Sequence, residues 1–368
     1  IGKDEKGEPN GAFHDAAMGL IELPTNINRQ MDAIKRFQRI YNAAGVVNVQ
    51  NVAGNGTVPC PMAGAWKLAQ DGELTIRLRS TTGYTSYNAD TIVERCLADK
   101  AKYQSELFAV NTSKNFIDGV FYTLEDWPSQ PGFHGTCTWD DEEKFKKAII
   151  DQHKAGIQMH FHSYADRSCK MVLDALEEAE TLYPGKDLRH TLAHIMTIRP
   201  EDIKRMGKYG YVAAMQPSWF VKAKDAEKEY YYGMIGDKWD HQYPFKSFIE
   251  AGAIVAGGTD YPVSVEYKPL EGIQVGYTRN SLIASHMDDP EYLLWPEERA
   301  TLLQTIEAFT INVAKEMHTE NTTGNLVAGK YADFVVLSDD IFEVDPINIH
   351  TIQVLKTYLM GKEVYSAS

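Results

Sequence analysis

The feature that most constrains this chain is a repeated alternation: short β-branched runs separated by stretches of helical periodicity. Runs at 45–49, 74–78, 115–117, 157–162, 188–194, 211–215 and 253–256 read as strands. Between them, Ile27, Met31, Ile34 and Ile40 fall near helical spacing, and so do Val172, Leu176 and Ala179. A helix is expected over Glu142–Lys154, stopped by Gly156. Pro200 and Pro244 each open another, and a last one is expected over 302–317. Such alternation builds βα units on a parallel sheet. A parallel barrel needs eight strands to close. Seven strands, in a chain that does not begin with Met, predict an α/β fold: a (β/α)8 TIM-type barrel lacking its first strand.

From Gly324 the pattern becomes β-rich, with runs at 332–337 and 354–359 and a Gly361-Lys362 hairpin leading to Glu363-Val364-Tyr365. The expected division is barrel strands 2–8 over 1–323 and part of a small β-sandwich over 324–368. No run of eighteen apolar residues exists, so no transmembrane helix is expected. A net charge of -14 repels nucleic acid and anionic lipid. The cysteines Cys60, Cys96, Cys137 and Cys169 form no CxxC pair, and a chain this long needs no disulfide framework. A cytoplasmic location is expected.

Four ionisable residues stand at or just past strand ends: Lys114, His162, His194 and Asp260. In a (β/α)8 barrel those ends face the active site. From His162 to His194 is 32 residues, one βα unit, and from His194 to Asp260 is 66, two units. Each residue alone has a structural reading, as a hydrogen-bonded histidine, a turn aspartate or a surface lysine. Together, at barrel spacing, they read as a divalent metal site, most simply zinc, with one or two ions. Neutral imidazoles ligate such ions. An aspartate beside the metal can ligate it and accept a proton from bound water, while lysine becomes a ligand only once carboxylated by CO2. His160 shares a strand face with His162. Only 98 residues separate His162 from Asp260, too few for seven βα units of about 30 residues, so this is not a first-strand HxH pair. His160 is expected one layer deeper.

These motifs resemble the amidohydrolase superfamily, in its branch called amidohydrolase family 3, which includes YtcJ-like proteins and N-substituted formamide deformylase. Gly7–Phe13 resembles the segment ahead of strand 2, and Lys114–Gly119 the K-x-x-x-D-G motif of strand 4. His162–Arg167 resembles H-x-x-G-D-R of strand 5, and Arg189–His194 the motif ending in the strand-6 histidine. Gly258–Val263 resembles G-S-D-x-P-V of strand 8, Pro269–Ile273 with Thr278-Arg279 the segment after it, and Gly324–Leu337 the return to the sandwich. Ala165, Ala193 and Trp239 stand where the family usually has glycine, an acid and arginine.

The resemblance implies that His162 and His194 bind one metal, with Lys114 as a bridging or nearby ligand and Asp260 as ligand and general base. It also implies a first-strand H-x-H outside this sequence, so neither a closed barrel nor a complete binuclear site is expected from this chain alone. The implied reaction is hydrolysis of a non-peptide C–N bond, amide- or formamide-like, by a metal-bound hydroxide. Deamination or decarboxylation at the same site is the alternative enzymatic reading, and a non-catalytic amidohydrolase-like subunit the other. The implied partners are a small amide-like substrate and the N-terminal segment carrying strand 1, with a homodimer as a further expectation. Trp127, His134 and Arg279 are candidates for contact with substrate or its surroundings, as is His160.

Overall fold

The computed structural model describes residues 2–12, 26–52, 62–119, 135, 137–222, 235–287 and 289–367. Seven strands form one sheet: β1 (Asn48–Asn51), β2 (Arg77–Gly83), β3 (Phe108–Phe116), β4 (Gln158–Ser163), β5 (Thr191–His194), β6 (Val212–Met215) and β7 (Ile254–Gly257). They lie in chain order and every pairing is parallel. Helix α1 (Ile27–Ala43) precedes β1. Each crossover contains an α-helix among the described residues: α2 (Met62–Gln70), α3 (Ile92–Lys102), α4 (Glu142–Lys154), α5 (Asp166–Leu182), α6 (Pro200–Tyr209) and α7 (Phe245–Ala251). After β7 come α8 (Pro269–Thr278), α9 (Leu302–Ala308) and α10 (Ile311–Glu316).

Local chemistry sets these boundaries. The Asp141 side chain accepts the Lys144 amide at 2.9 Å, satisfying a free N–H at the start of α4. Gly156, at φ +74°, ends that helix in a conformation that costs glycine little. Pro200 stands at the first position of α6, and Gly210 caps its end in the left-handed region.

The sheet curls. Laid flat, β3 and β7 would lie about 19 Å apart, four strand spacings. Yet Lys114, on β3, and Asp260, just past β7, each shift the other's protonation equilibrium. Only a curl brings those ends face to face. Strands β1 and β7 do not pair among the described residues, so the curl stays open between them. On that side the Tyr41 hydroxyl meets Thr259 Oγ1 at 3.1 Å, and Phe37, Tyr41 and Tyr261 pack ring against ring.

Alternate strand residues separate two environments. Met159, Phe161, Leu192, Ala213 and Val255 point outward and share a buried cluster with Phe145, Ile149, Leu173, Leu176 and Phe248 of the helices. Leu78, Phe108 and Val110 do the same with Ile34, Ala65 and Leu68. The inner face is polar and buried: Thr112, Lys114, Gln158, His160 and Thr191 lie side by side through the register pairs Thr112↔Gln158, Lys114↔His160 and His160↔Thr191. Barrel interiors are ordinarily filled by branched aliphatic residues.

A second, antiparallel sheet has the order β10-β9-β8, with β8 (Phe334–Leu337), β9 (Val354–Leu359) and β10 (Lys362–Ser366). Met360 and Gly361, at φ 51° and 78°, make the two-residue hairpin turn. Asp333 ties this sheet to the larger one. Its Oδ2 lies 2.7 Å from Nη1 of Arg77, which is fully buried, and accepts the Thr323 hydroxyl at 2.9 Å. Its Oδ1 accepts the Met360 amide at 2.7 Å.

Two expectations need correction. The strand expected at 115–117 begins at Phe108, its first half hidden by a bulge and a run of polar inward residues. The single helix expected over 302–317 is two, α9 and α10, broken at Phe309-Thr310. Phe309 turns inward at the break, its ring filling the space where a Cβ on Gly257 or Gly272 would sit. No described helix is long and apolar enough to cross a membrane. Cys96, Cys137 and Cys169 are free thiols, and Cys60 lies outside the described residues.

Candidate active site

The C-terminal strand ends gather Lys114, His162, His194 and Asp260. His162 and His194 come from adjacent strands, and their ring centroids are 4.5 Å apart. His162 stacks on Phe116 at 4.7 Å, and His194 lies nearly parallel to Trp219 at 5.5 Å. Hydrogen bonds fix both tautomers. His162 Nε2 donates to Gly119 O at 2.9 Å, leaving Nδ1 with the lone pair. His194 Nδ1 donates to Gln216 Oε1 at 2.8 Å, leaving Nε2 with it. His194 and Asp260 both hold positive φ, 76° and 55°. That costs on the order of 1 kcal/mol or more each and aims side chains where a regular strand end would not.

The recurring motif residues have identifiable work. Asp118, of Lys114–Gly119, is fully buried and accepts the Tyr164 and Ala165 amides at 3.0 and 3.1 Å and the Ser168 hydroxyl at 2.6 Å. It thereby locks the β4–α5 turn and places a carboxylate oxygen 3.4 Å from His162 Nε2. Asp166, of His162–Arg167, is buried against Lys238 Nζ at 2.9 Å. Thr259 accepts the Ser264 hydroxyl at 3.0 Å on its carbonyl, and Ser264 accepts Trp219 Nε1 at 2.8 Å. The loop bearing Asp260 is thus tied to the indole that stacks on His194.

Burial governs the electrostatics. It holds His162 well below its ordinary pKa and pushes His194 down to about 3, so both rings are neutral at pH 7. It pushes the Lys114 ammonium down to about 7, against the opposing pull of Asp260, Asp118 and Glu316. Burial raises Asp260, and Lys114 opposes it. His160 lies two residues below His162 on β4, 3% exposed, and among the described residues neither ring nitrogen is hydrogen-bonded. Its Nδ1 is 3.6 Å from Glu316 Oε1, and burial raises that carboxyl to about 7.

This donor set fits a share of a divalent metal centre. Two neutral imidazoles stand side by side with lone pairs that no described residue uses, and a lysine with a partly neutral amine can accept CO2 to become a carbamate. Among the described residues no group of three His, Cys, Asp or Glu side chains converges closely enough to hold an ion by itself.

Sequence reasoning missed Glu316 and Lys238. Neither carries a local signal: Glu316 ends a short helix, and Lys238 supplies its charge from the position beside Trp239. Arg279, a candidate for contact with substrate or its surroundings, holds loop backbone. It is fully buried, and its guanidinium donates to Leu294 O at 2.8 Å, Tyr243 O at 3.0 Å and Gln242 O at 2.8 Å, which makes it a clamp on loop backbone. Trp127 and His134 lie outside the described residues.

Known proteins share this chain's sequence and fold. The chain is 26% identical over 384 residues to LONG AFTER FAR-RED 3 of Arabidopsis thaliana, an alignment covering 98% of this chain and 62% of that protein. It is 22% identical over 384 residues to N-substituted formamide deformylase of Arthrobacter pascens, covering 98% and 66% respectively. The chain therefore spans less than two thirds of the length of these relatives. An uncharacterized metal-dependent hydrolase from Pyrococcus horikoshii shares the fold, with a TM-score of 0.70 at 17% identity over 87% of this chain and 62% of that one. The model of the amidohydrolase family matches residues 1–365, and this chain belongs to that family.

Proposed function

We propose that this chain carries most of the catalytic face of a metal-dependent hydrolase that cleaves a non-peptide C–N bond of amide or formamide type. The observation that carries the proposal is the pairing of His162 and His194, held neutral and 4.5 Å apart, with Lys114 on the strand next to His162 and Asp260 just past β7. The relatives support the chemistry, since one is named as a formamide deformylase and a structural neighbour as a metal-dependent hydrolase.

In this reading His162 Nδ1 and His194 Nε2 would hold the ion, and Lys114, if carboxylated, would add an oxygen ligand. When bound, a divalent ion supplies Lewis acidity that polarises a carbonyl and makes water nucleophilic at neutral pH. Gln216 holds His194 in the ligating tautomer, and Asp118 steadies His162. Asp260 takes a proton from the attacking water on a carboxylate oxygen and returns it to the leaving nitrogen, so that an amine departs. Phe116 and Trp219 flank the imidazoles and limit water around them.

The test is release of amine and formate from a panel of N-substituted formamides and simple amides by the natively expressed protein. Asp260→Asn should lower kcat by about 10²–10⁴-fold with the thermal midpoint unchanged. Undiminished turnover in that variant overturns the role of Asp260, and no hydrolysis of any panel member by metal-loaded protein overturns the substrate class.

A further inference from the structure

The opposite end of the curled sheet, where β3, β4 and β5 begin, holds a cavity of about 370 Å³. Its lining includes Arg79, Lys100, Gln104, Asn111 and His318. Arg79, on β2, is only 7% exposed. Among the described residues its guanidinium donates to backbone carbonyls alone, Leu78 O at 3.5 Å and Glu106 O at 3.2 Å. Among the described residues neither Arg79 nor Lys100 makes an ion pair within 4.0 Å.

The neighbouring acids are committed elsewhere. Asp187 binds Arg189 at 2.7 Å, Glu320 binds Arg189 at 2.7 Å, and the Glu106 carboxylate binds Arg77 at 3.0 Å. Asp99 accepts the Thr82 hydroxyl at 2.8 Å. His318 Nε2 is directed at Leu188 O at 3.3 Å. In a chain of net charge -14 this leaves two cations, one of them buried, lining a hollow whose one acid, Asp187, is paired with Arg189 among the described residues. A buried charge is costly unless paired. Burial and the adjacent Arg77 push Arg79 down to about 10, against the opposing pull of Glu106. An arginine fork with spare N–H donors matches two oxygens of an oxyanion.

We propose that this cavity binds a small multivalent oxyanion of the phosphate type, held by the Arg79 fork and Lys100 with carboxamide N–H groups from Gln104 and Asn111. One side-chain layer separates it from the catalytic end: Gln158 lines the cavity, accepts the Thr112 hydroxyl at 2.9 Å and donates to Glu316 O at 2.8 Å. The bound anion stabilises the fold at this end and takes no part in bond cleavage.

The experiment is thermal unfolding of the natively expressed protein in inorganic phosphate against sodium chloride of equal ionic strength. Phosphate at about 50 mM should raise the midpoint by about 2 °C beyond chloride, saturably, with half the effect in the low millimolar range. Arg79→Met and Lys100→Glu should each remove that excess. Lys100 and Gln104 are exposed, so Lys100→Glu with Gln104→Ala keeps the test clear of core damage. Equal shifts in phosphate and chloride overturn the proposal. So does a phosphate effect that survives Lys100→Glu with Gln104→Ala, which would place the anion elsewhere, including at a metal.

Discussion

Asp333→Ala tests how the two sheets are held together. Arg77 is fully buried and has three side-chain partners: Asn48 Oδ1 at 2.6 Å, Asp333 Oδ2 at 2.7 Å and Glu106 at 3.0 Å. Asp333 is the buried one of the two acids, since the Glu106 side chain is 41% exposed and Asp333 only 5%. Removing Asp333 leaves a buried guanidinium supported by a solvated acid, and it orphans the Met360 amide and the Thr323 hydroxyl. Breaking a buried ion pair from one side costs about 3–5 kcal/mol. Glu106 keeps the loss near the lower end, about 3 kcal/mol. Replacing both partners, Arg77→Met with Asp333→Ala, removes the stranded charge and should recover about 2 kcal/mol of that loss in a double-mutant cycle. Urea unfolding followed by far-UV circular dichroism measures all four proteins. A loss under 1 kcal/mol for Asp333→Ala, or no coupling in the cycle, would refute the reasoning.

Other outcomes follow from the site. Gln216→Leu removes the acceptor that fixes the His194 tautomer. Metal affinity in a competitive chelator titration should fall about 10–100-fold, and undiminished affinity would show that the amide does not orient the ring. Acid stability tests a second histidine pair: the Met159 amide donates to His190 Nδ1 at 3.2 Å, His190 Nε2 to His153 Nδ1 at 3.0 Å, and His153 Nε2 to Tyr183 O at 3.0 Å. Burial holds His190 well below its ordinary pKa, so the unfolded chain takes up a proton near pH 6.5 that the folded chain refuses. Stability is therefore fully present above about pH 6.5 and is lost as pH falls. His190→Gln should flatten that acid limb by up to about 1.4 kcal/mol per pH unit in urea titrations at successive pH values, and an unchanged slope would contradict the neutral chain of bonds.

Much of the fold was legible because βα units write themselves into a sequence locally. Glu142–Lys154 matches α4 because Asp141 and Gly156 punctuate both ends. Boundaries slipped where burial and strand pairing part company. Val47, Leu74 and Ile76 are buried, yet they approach their strands rather than join them, so β1 and β2 begin later than their apolar runs. Helix α3 went unread because among its residues only Ile92 and Cys96 are buried. The break at Phe309 was invisible because apolar spacing continues across it, and two distant glycines make room for the ring. At the site, His162 and His194 were readable from their places at strand ends, and the structure brings their rings together. Glu316 and Lys238 were not, since each acts across a sequence distance that no local pattern encodes. Arg279 clamps loop backbone, a role that its motif position alone does not state.

The most direct measurement is the metal content of the natively expressed protein, by elemental analysis of the wild type and of His162→Ala with His194→Ala, with circular dichroism to check the fold. One or two divalent ions per chain in the wild type, lost together with amide hydrolysis in the folded double variant, is the predicted result. Hydrolysis that persists in the double variant, or a metal content that does not change, would contradict the assignment of these two imidazoles as the heart of the site.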